Sequence, residues 1–196
     1  MKKTMYRSIL ACSLFSAIAM ATLLAHGQSS SMTPLSQTSF ARINKEVRHE
    51  LVMLPFYGVF DNLAYSVGQD GTVTILGQVS RPTLKSDAEN VVKRIEGVEK
   101  VVNNIEVLPT SNNDDRIRRE TYRAIYGNDA LNQYQLRAVP TIHIIVNNGH
   151  VTLEGAVARQ MEKQIAGMQV NQVPGVFSVT NNLHVDEEES KESSKN

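Results

Sequence analysis

An internal duplication is the feature that most constrains how this chain can fold. The segments Gly71–Val79 and Gly149–Val157 share one order of residues: a turn glycine, an alternating strand, a second glycine and a closing valine. They lie 78 residues apart, and the same offset aligns the residues after them without a gap. About 15 of the 39 positions in 69–107 are identical to their partners in 147–185. A match of this length indicates two copies of one small structural unit.

The two copies divide the middle of the chain between them. We expect the first copy at 41–108, a short polar linker at 109–114, and the second copy at 115–185. A unit of about 65 residues buries only about 60% of its unfolded surface and is marginally stable alone. We therefore expect intramolecular contact between the two copies.

Hydrophobic periodicity predicts the order helix, strand, strand, helix, strand in each copy. Helices are expected from Phe40 or Ala41 to Pro55 and over 82–96, 116–126 and 159–173, with Asp114 or Asp115 capping the third. The last strand of each copy is expected at 98–107 and 176–185. Glycines are expected at the turns and at tight backbone passages: Gly71, Gly77, Gly97, Gly149, Gly155 and Gly175. Two helices on one face of a three-stranded sheet make an α+β fold of two tandem αββαβ domains.

The two ends of the chain have the composition of segments outside the fold. Residues 1–25 combine a basic start with an apolar stretch and small residues, which predicts a secretory signal peptide cleaved after Ala21 or Ala25. The alternatives are an uncleaved anchor and a lipid-modified Cys12, the only cysteine in the chain. The composition of residues 26–40 predicts a flexible leader, and that of 186–196 predicts a disordered acidic tail.

The repeated residues resemble a known family. Both copies carry G-x-V-T-[IL]-x-G-x-V, then a helix, then G-V-x-x-V-x-N-N-[IL]-x-V, and this pattern is similar to the BON domain. The resemblance covers about residues 41–107 and 115–185. It implies an αββαβ fold, a periplasmic location, association with phospholipid or the cell envelope under osmotic or other stress, and no catalytic residues.

The sequence carries no recognisable motif for catalysis or cofactor binding. The histidines are scattered, and no H-x-x-H, G-x-G-x-x-G or G-x-S-x-G spacing occurs. Lysine and arginine number 20 against 20 for aspartate and glutamate, so the total charge does not favour nucleic acid as a partner. The repeated pairs Asn103–Asn104 and Asn181–Asn182 are best explained by structural hydrogen bonds. We expect no metal, no cofactor and no enzymatic activity.

The first helix of the second copy is the strongest candidate for a binding surface. At about 100° per residue, Ile117, Thr121, Ala124 and Ile125 gather on one side. The opposite side gathers arginine and tyrosine, which suit an anionic bilayer surface. The predicted phospholipid-binding residues are Arg116, Arg119, Tyr122, Arg123 and Tyr126. The alternatives are a solvated charged face and a contact surface between the copies.

Two functions are compatible with these observations. The first is a non-enzymatic periplasmic protein that docks on anionic phospholipid surfaces or envelope proteins, supports envelope integrity under stress, and associates peripherally with the membrane. The second is a protein-binding or chaperone-like adaptor that uses sheet edges or the apolar loop around Phe56, Tyr57, Val59 and Phe60. Core packing or contact between the copies is the competing explanation for that loop.

Overall fold

The computed structural model describes residues 35–136 and 141–186. The expected signal peptide, most of the expected leader and nearly all of the expected acidic tail lie outside these residues. The elements in chain order are α1 (Gln37–Val52), β1 (Asn62–Val67), β2 (Thr72–Val79), α2 (Pro82–Val92), β3 (Lys100–Val107), α3 (Asn112–Tyr126), the short 3-10 helix η1 (Asn132–Leu136), β4 (Ile142–Asn147), β5 (His150–Val157), α4 (Gln160–Asn171), β6 (Ser178–Asn181) and β7 (His184–Val185). The α+β fold expected from the sequence is confirmed.

The first copy is a three-stranded sheet covered by two helices. Strands β1 and β2 form an antiparallel hairpin, and β3 runs parallel to β2 on its other side. The core beneath α1 and α2 is apolar throughout. Its fully buried members include Ile43, Val47, Ile75, Leu84 and Ile105.

The second copy repeats this arrangement but its last strand is broken. Strand β5 pairs antiparallel with β4 and parallel with both β6 and β7. Asn182 and Leu183 separate the last two strands, so the single strand expected over 176–185 is wrong in this detail. The Oδ1 atom of Asn181 accepts a hydrogen bond from the backbone N–H of Leu183 at 3.3 Å, but Asn103 accepts the equivalent bond from Ile105 at 3.1 Å within the unbroken β3, so this bond does not explain the break.

Helix ends differ from the sequence expectation at several places. Helix α1 begins at Gln37 with Ser36 as its cap, so the last residues of the expected leader are helical. Helix α3 begins at Asn112 because the Ser111 side chain, rather than Asp114 or Asp115, accepts the capping bond. Helices α2 and α4 end before the expected 96 and 173. At both ends, bonds of the tighter i to i+3 type replace the last α-helical turn.

Asp114 stabilises the hairpin turn of the second copy. Its buried carboxylate accepts hydrogen bonds from the backbone N–H groups of Asn148 and Gly149, each at 2.9 Å. In the first copy the equivalent turn is closed by its own aspartate, since Asp70 accepts from the N–H of Thr72 at 3.0 Å. The two copies therefore close matching turns with carboxylates from different parts of the chain.

The segment between α3 and β4 is the main insertion in the second copy. Tyr134 of η1 is buried, and its hydroxyl donates to Glu162 at 2.6 Å and accepts from the N–H of Ala158 at 2.7 Å. Glu162 also accepts from the N–H of Arg159 at 3.0 Å. The insertion thus caps the start of α4. Burial and the hydrogen bond to Glu162 both raise the pKa of Tyr134.

The two copies meet where the loop over residues 55–61 reaches the outer edge of β4. The N–H of Ile144 donates to the carbonyl oxygen of Val59 at 2.7 Å. Val59 and Phe60 pack against the core of the second copy, whereas Tyr57 packs against the core of the first. This contact and the cover provided by α3 explain why β4 is buried on both faces from Ile142 to Val146.

Two glycines sit where the backbone of the first strand passes very close. A Cβ atom at Gly77 would lie 2.0 Å from the carbonyl oxygen of Asn62, and one at Gly155 would lie 1.9 Å from that of Thr141. Both glycines also have positive φ angles, 117° and 110°. The close backbone approach expected at these positions is present. The approaching atoms are the carbonyl oxygens of Asn62 and Thr141, which cannot move without breaking the hairpin.

We expect Gly155→Ala to lower the free energy of unfolding by about 3 kcal/mol or more, because the clash adds to the strain of a positive φ. Gly58→Ala is the matched control, since nothing lies within 4 Å of a Cβ atom there. Urea unfolding followed by circular dichroism measures both. Equal destabilisation by the two substitutions would contradict this explanation.

His143 is a titratable group buried at the contact between the copies. Its Nδ1 lies 3.3 Å from the carbonyl oxygen of Gly58, and its ring centroid lies 5.6 Å from that of Tyr57. A carbonyl only accepts, so Nδ1 carries the proton. Burial lowers the pKa of His143 below its ordinary 6.5, against the opposing effects of Gly58, Asp61 and Glu154.

This lowered pKa predicts the direction in which stability changes with pH. As the pH falls below 6.5, the unfolded chain takes up a proton at His143 and the folded chain does not. The free energy of unfolding therefore decreases as the pH falls from 6.5 to the lowered pKa of the folded state. We expect His143→Gln to flatten this part of the profile, and His184→Gln, at an exposed position, to leave it unchanged. Urea unfolding between pH 5 and 8 measures the three profiles; parallel curves for wild type and His143→Gln would refute the assignment.

Candidate membrane-contact site

Helix α3 is amphipathic and firmly placed. Ser111 caps its start, aspartates occupy its first turn and Arg123 lies in its last turn, an order that complements the helix dipole. Ile117, Thr121 and Ile125 are buried against the sheet, as the sequence pattern predicts. Ala124, expected on the same side, is half-buried.

The buried part of α3 is wider than the sequence pattern indicates, because the helix also covers the outer edge of β4. Tyr126 donates from its hydroxyl to the carbonyl oxygen of Ile142 at 2.7 Å. Arg118 donates from Nη2 to the carbonyl oxygen of Val146 at 2.8 Å. Both side chains are buried, and burial raises the pKa of Tyr126. The expectation that Tyr126 faces outward is therefore wrong, because its hydroxyl is hydrogen-bonded to the edge strand β4 and the side chain is buried there.

Tyr122 and Arg116 are partly covered. The Tyr122 ring lies 4.8 Å from that of Tyr126 and 6.2 Å from that of Phe60, and its hydroxyl accepts a bond from Gln135 at 2.6 Å. Arg116 donates to Glu120 at 2.9 Å, to Asn113 at 3.0 Å and to the carbonyl oxygen of Pro174 at 3.2 Å. These contacts commit both side chains to the protein's own structure.

Arg119 and Arg123 are the two members of the candidate set that remain exposed to solvent. Within residues 35–136 and 141–186, no carboxylate lies within salt-bridge distance of either. They are four residues apart and so lie on one side of α3. On α1, Arg42 pairs with Glu46 at 3.3 Å, whereas the exposed Lys45 and Arg48 have no salt bridge among the described residues. The structure therefore reduces the candidate face to a pair of uncompensated arginines.

Two further arginines belong near this face although the sequence pattern did not single them out. Arg118 lies between Arg116 and Arg119 in the sequence, and nothing in the pattern distinguishes it from them. Arg81 is notable in the sequence only because it aligns with Arg159 of the second copy. In the structure the Arg81 guanidinium lies over the ring of Phe56, 4.9 Å from its centroid. Phe56 is 72% exposed and has a φ of 67°, which is rare for a residue with a side chain. The other three apolar residues of its loop are half-buried.

The remaining sequence candidates have structural roles. Asn103 donates to the carbonyl oxygen of Lys85 at 2.9 Å, and Asn181 donates to that of Lys163 at 2.7 Å, so each ties a helix to its strand. The six glycines named from the sequence all have positive φ. No cluster of three potential metal ligands occurs in the part of the chain that the structure describes.

No helix within the described ranges has the length and hydropathy needed to cross a bilayer. The exposed arginines of α3 form a charged surface that a partner can contact. Guanidinium groups such as those of Arg119 and Arg123 bind phosphate oxygens through paired hydrogen bonds.

Comparison with known proteins agrees with the repeated architecture. The family model described as "BON domain" matches residues 63–109 and 113–187. No curated protein matches. Two solved structures of CdsD, a structural protein of the type III secretion system of Chlamydia trachomatis, are similar at 11% identity and a TM-score of 0.28 each. The matches cover 72% and 78% of this chain and 96% and 97% of the CdsD chains. A similarity this low does not indicate a shared function.

The two segments matched by the family model include more than half of the chain and fall one in each copy of the duplication. BON domains are generally non-catalytic and are found in proteins of the cell envelope, which supports a non-enzymatic, envelope-associated role. The chain therefore belongs to the BON-domain family, with a BON domain in each half.

Proposed function

We propose that this protein is a non-enzymatic periplasmic protein that docks on anionic phospholipid surfaces and supports envelope integrity under stress. The observation that carries the proposal is the pair Arg119 and Arg123, exposed on one side of α3 with no carboxylate partner in the described chain. The overall charge is balanced, so this uncompensated pair is a local feature. Export by the N-terminal signal peptide and peripheral attachment to the membrane are parts of the same proposal.

The physical basis of docking is electrostatic. Each basic residue near an anionic surface contributes about 1 kcal/mol, and this attraction falls off within a Debye length. A balanced protein with a few exposed arginines therefore binds weakly and reversibly, and the binding is sensitive to salt. Tyr122 lies beside this pair on α3, but its hydroxyl is bonded to Gln135, so the docking contact is assigned to the two arginines.

The first BON domain provides an internal comparison. Its first helix, α1, exposes Lys45 and Arg48, but Glu46 and Glu50 lie among them. The two helices carry the same net charge of +1, from three basic and two acidic residues on α1 and four basic and three acidic residues on α3. On α3, Asp115 and Glu120 are paired with Arg118 and Arg116, whereas Glu50 on α1 has no cationic partner among the described residues and lies two positions from Arg48. We therefore assign docking to α3 and expect α1 to contribute little.

Vesicle co-sedimentation tests the proposal. Protein purified from expression of the full chain is expected to bind phosphatidylglycerol-containing vesicles at low salt and to dissociate at high salt, with little binding to phosphatidylcholine alone. Arg119→Glu/Arg123→Glu is expected to weaken binding by roughly 30-fold or more, because two charges of about 1 kcal/mol each are lost and then reversed. The double variant is also expected not to restore envelope integrity in a deletion strain under osmotic stress.

Lys45→Glu/Arg48→Glu on α1 is the matched control, since it changes the net charge equally on the corresponding helix. It is expected to bind vesicles nearly as well as wild type. Equal loss of binding in both double variants would refute a site on α3, and no binding of folded wild-type protein to any vesicle would refute lipid docking.

A second candidate function, a protein-binding adaptor, is supported by Phe56. This side chain is 72% exposed in a strained backbone conformation, whereas Phe60 packs against the second domain. The adaptor function predicts that Phe56→Ser abolishes capture of envelope proteins while Arg119→Glu/Arg123→Glu leaves it unchanged. A pull-down from envelope extract with both variants decides between them; the reverse pattern would exclude an adaptor site at Phe56.

A further inference from the structure

A groove of about 410 Å³ lies where the two BON domains meet, and three arginines line it. Arg81 comes from the first domain, at the start of α2, and Arg118 and Arg119 come from α3 of the second. A cavity of this size lies within the range of roughly 300–1,000 Å³ that is typical of small-molecule sites. Both domains are therefore required to form it.

Arg118 is the fixed member of this groove. Only 6% of the residue is exposed, its Nη1 donates to Asp115 at 2.5 Å, and its Nη2 donates to the carbonyl oxygen of Val146 at 2.8 Å. Its Nε is buried and has no hydrogen-bond partner among the described residues. The salt bridge to Asp115 balances the charge of Arg118, but a buried donor without a partner is uncommon and indicates that the protein leaves one hydrogen bond of this guanidinium unsatisfied.

Arg81 and Arg119 supply the accessible guanidinium groups. Both are exposed, and within the described ranges neither lies within salt-bridge distance of a carboxylate. Contact with the face of the Phe56 ring orients Arg81 without using its N–H donors. The strained backbone of Phe56 is explained if its ring serves to hold this arginine in place.

The charge lining the groove is positive. Three arginines against the single carboxylate of Asp115 leave a net charge of +2. Asp61 does not reduce it by pairing with an arginine, because its buried carboxylate accepts instead from the N–H and hydroxyl of Ser80, at 2.7 and 2.8 Å. The hydroxyl of Thr110 is a further polar group on the lining.

We propose that this interdomain groove binds a phosphate-type oxyanion, as a phosphate monoester or diester, through Arg81 and Arg119 above the fixed charge of Arg118. Guanidinium groups match phosphate oxygens in charge and in paired geometry. The phosphate group can come from a soluble ester or from a lipid headgroup. The lipid source rests on the proposed function, whereas the soluble source is independent of it.

Calorimetric titration of the purified full-chain product with sodium phosphate and with glycerol 3-phosphate, at constant ionic strength, tests the groove directly. Saturable binding is expected for at least one of these probes, and Arg81→Gln is expected to weaken it about tenfold or more. Arg81 is exposed, so this substitution leaves the fold intact, which thermal unfolding verifies. Arg94→Gln and Arg48→Gln remove the same charge outside the groove and are expected to retain binding.

Vesicle binding by the same four proteins separates the sources of phosphate. If the soluble probes do not bind but Arg81→Gln weakens binding to phosphatidylglycerol vesicles more than Arg94→Gln does, the headgroup is the ligand. If the probes bind and no protein binds vesicles, the groove stands and the proposed lipid docking fails. If Arg81→Gln matches Arg94→Gln in every titration and with every vesicle, the proposed oxyanion site is overturned.

Discussion

The outer edge of β4 is the constraint on which the arrangement of the two domains depends. A strand at the edge of a sheet exposes unpaired backbone groups, and these must be satisfied when the edge is covered. Here the carbonyl oxygens of Ile142 and Val146 accept hydrogen bonds from side chains of α3, and the N–H of Ile144 donates to the carbonyl oxygen of Val59 in the other domain. The edge of one BON domain is thereby closed partly by its own helix and partly by its neighbour.

This closure also determines which side chains remain for function. Covering the edge takes Tyr126 and Arg118 out of the outer face of α3 and leaves Arg119 and Arg123 exposed. The same contact brings Arg81 of the first domain to the groove that Arg119 lines. The basic and acidic residues of the whole chain balance, but the contact between domains gathers Arg81, Arg118 and Arg119 at one groove. The proposed docking surface and the proposed oxyanion groove share Arg119 and are otherwise formed by different residues.

Local sequence patterns predicted the α+β fold well because each repeated glycine and each alternating strand has a local physical cause. Gly77 and Gly155 illustrate this, since the close backbone approach expected there is present in both copies. The burial of Tyr126 could not be predicted, because helical periodicity places it opposite Ile117 and only the position of β4 gives its hydroxyl a buried partner. Arg81 was missed for a related reason: its proximity to Arg119 arises from the contact between domains, which no local pattern encodes.

Hydrogen exchange at the Ile144 amide tests the central claim, that the first domain closes the edge of β4, most directly. The account predicts that this amide exchanges as slowly as that of Ala156, which donates to the carbonyl oxygen of Thr141 at 3.0 Å. Amide-resolved NMR on the folded protein provides both rates in one experiment. Exchange of Ile144 at the rate of an open strand edge, with Ala156 protected, would show that the domains do not meet at β4 and would contradict the account.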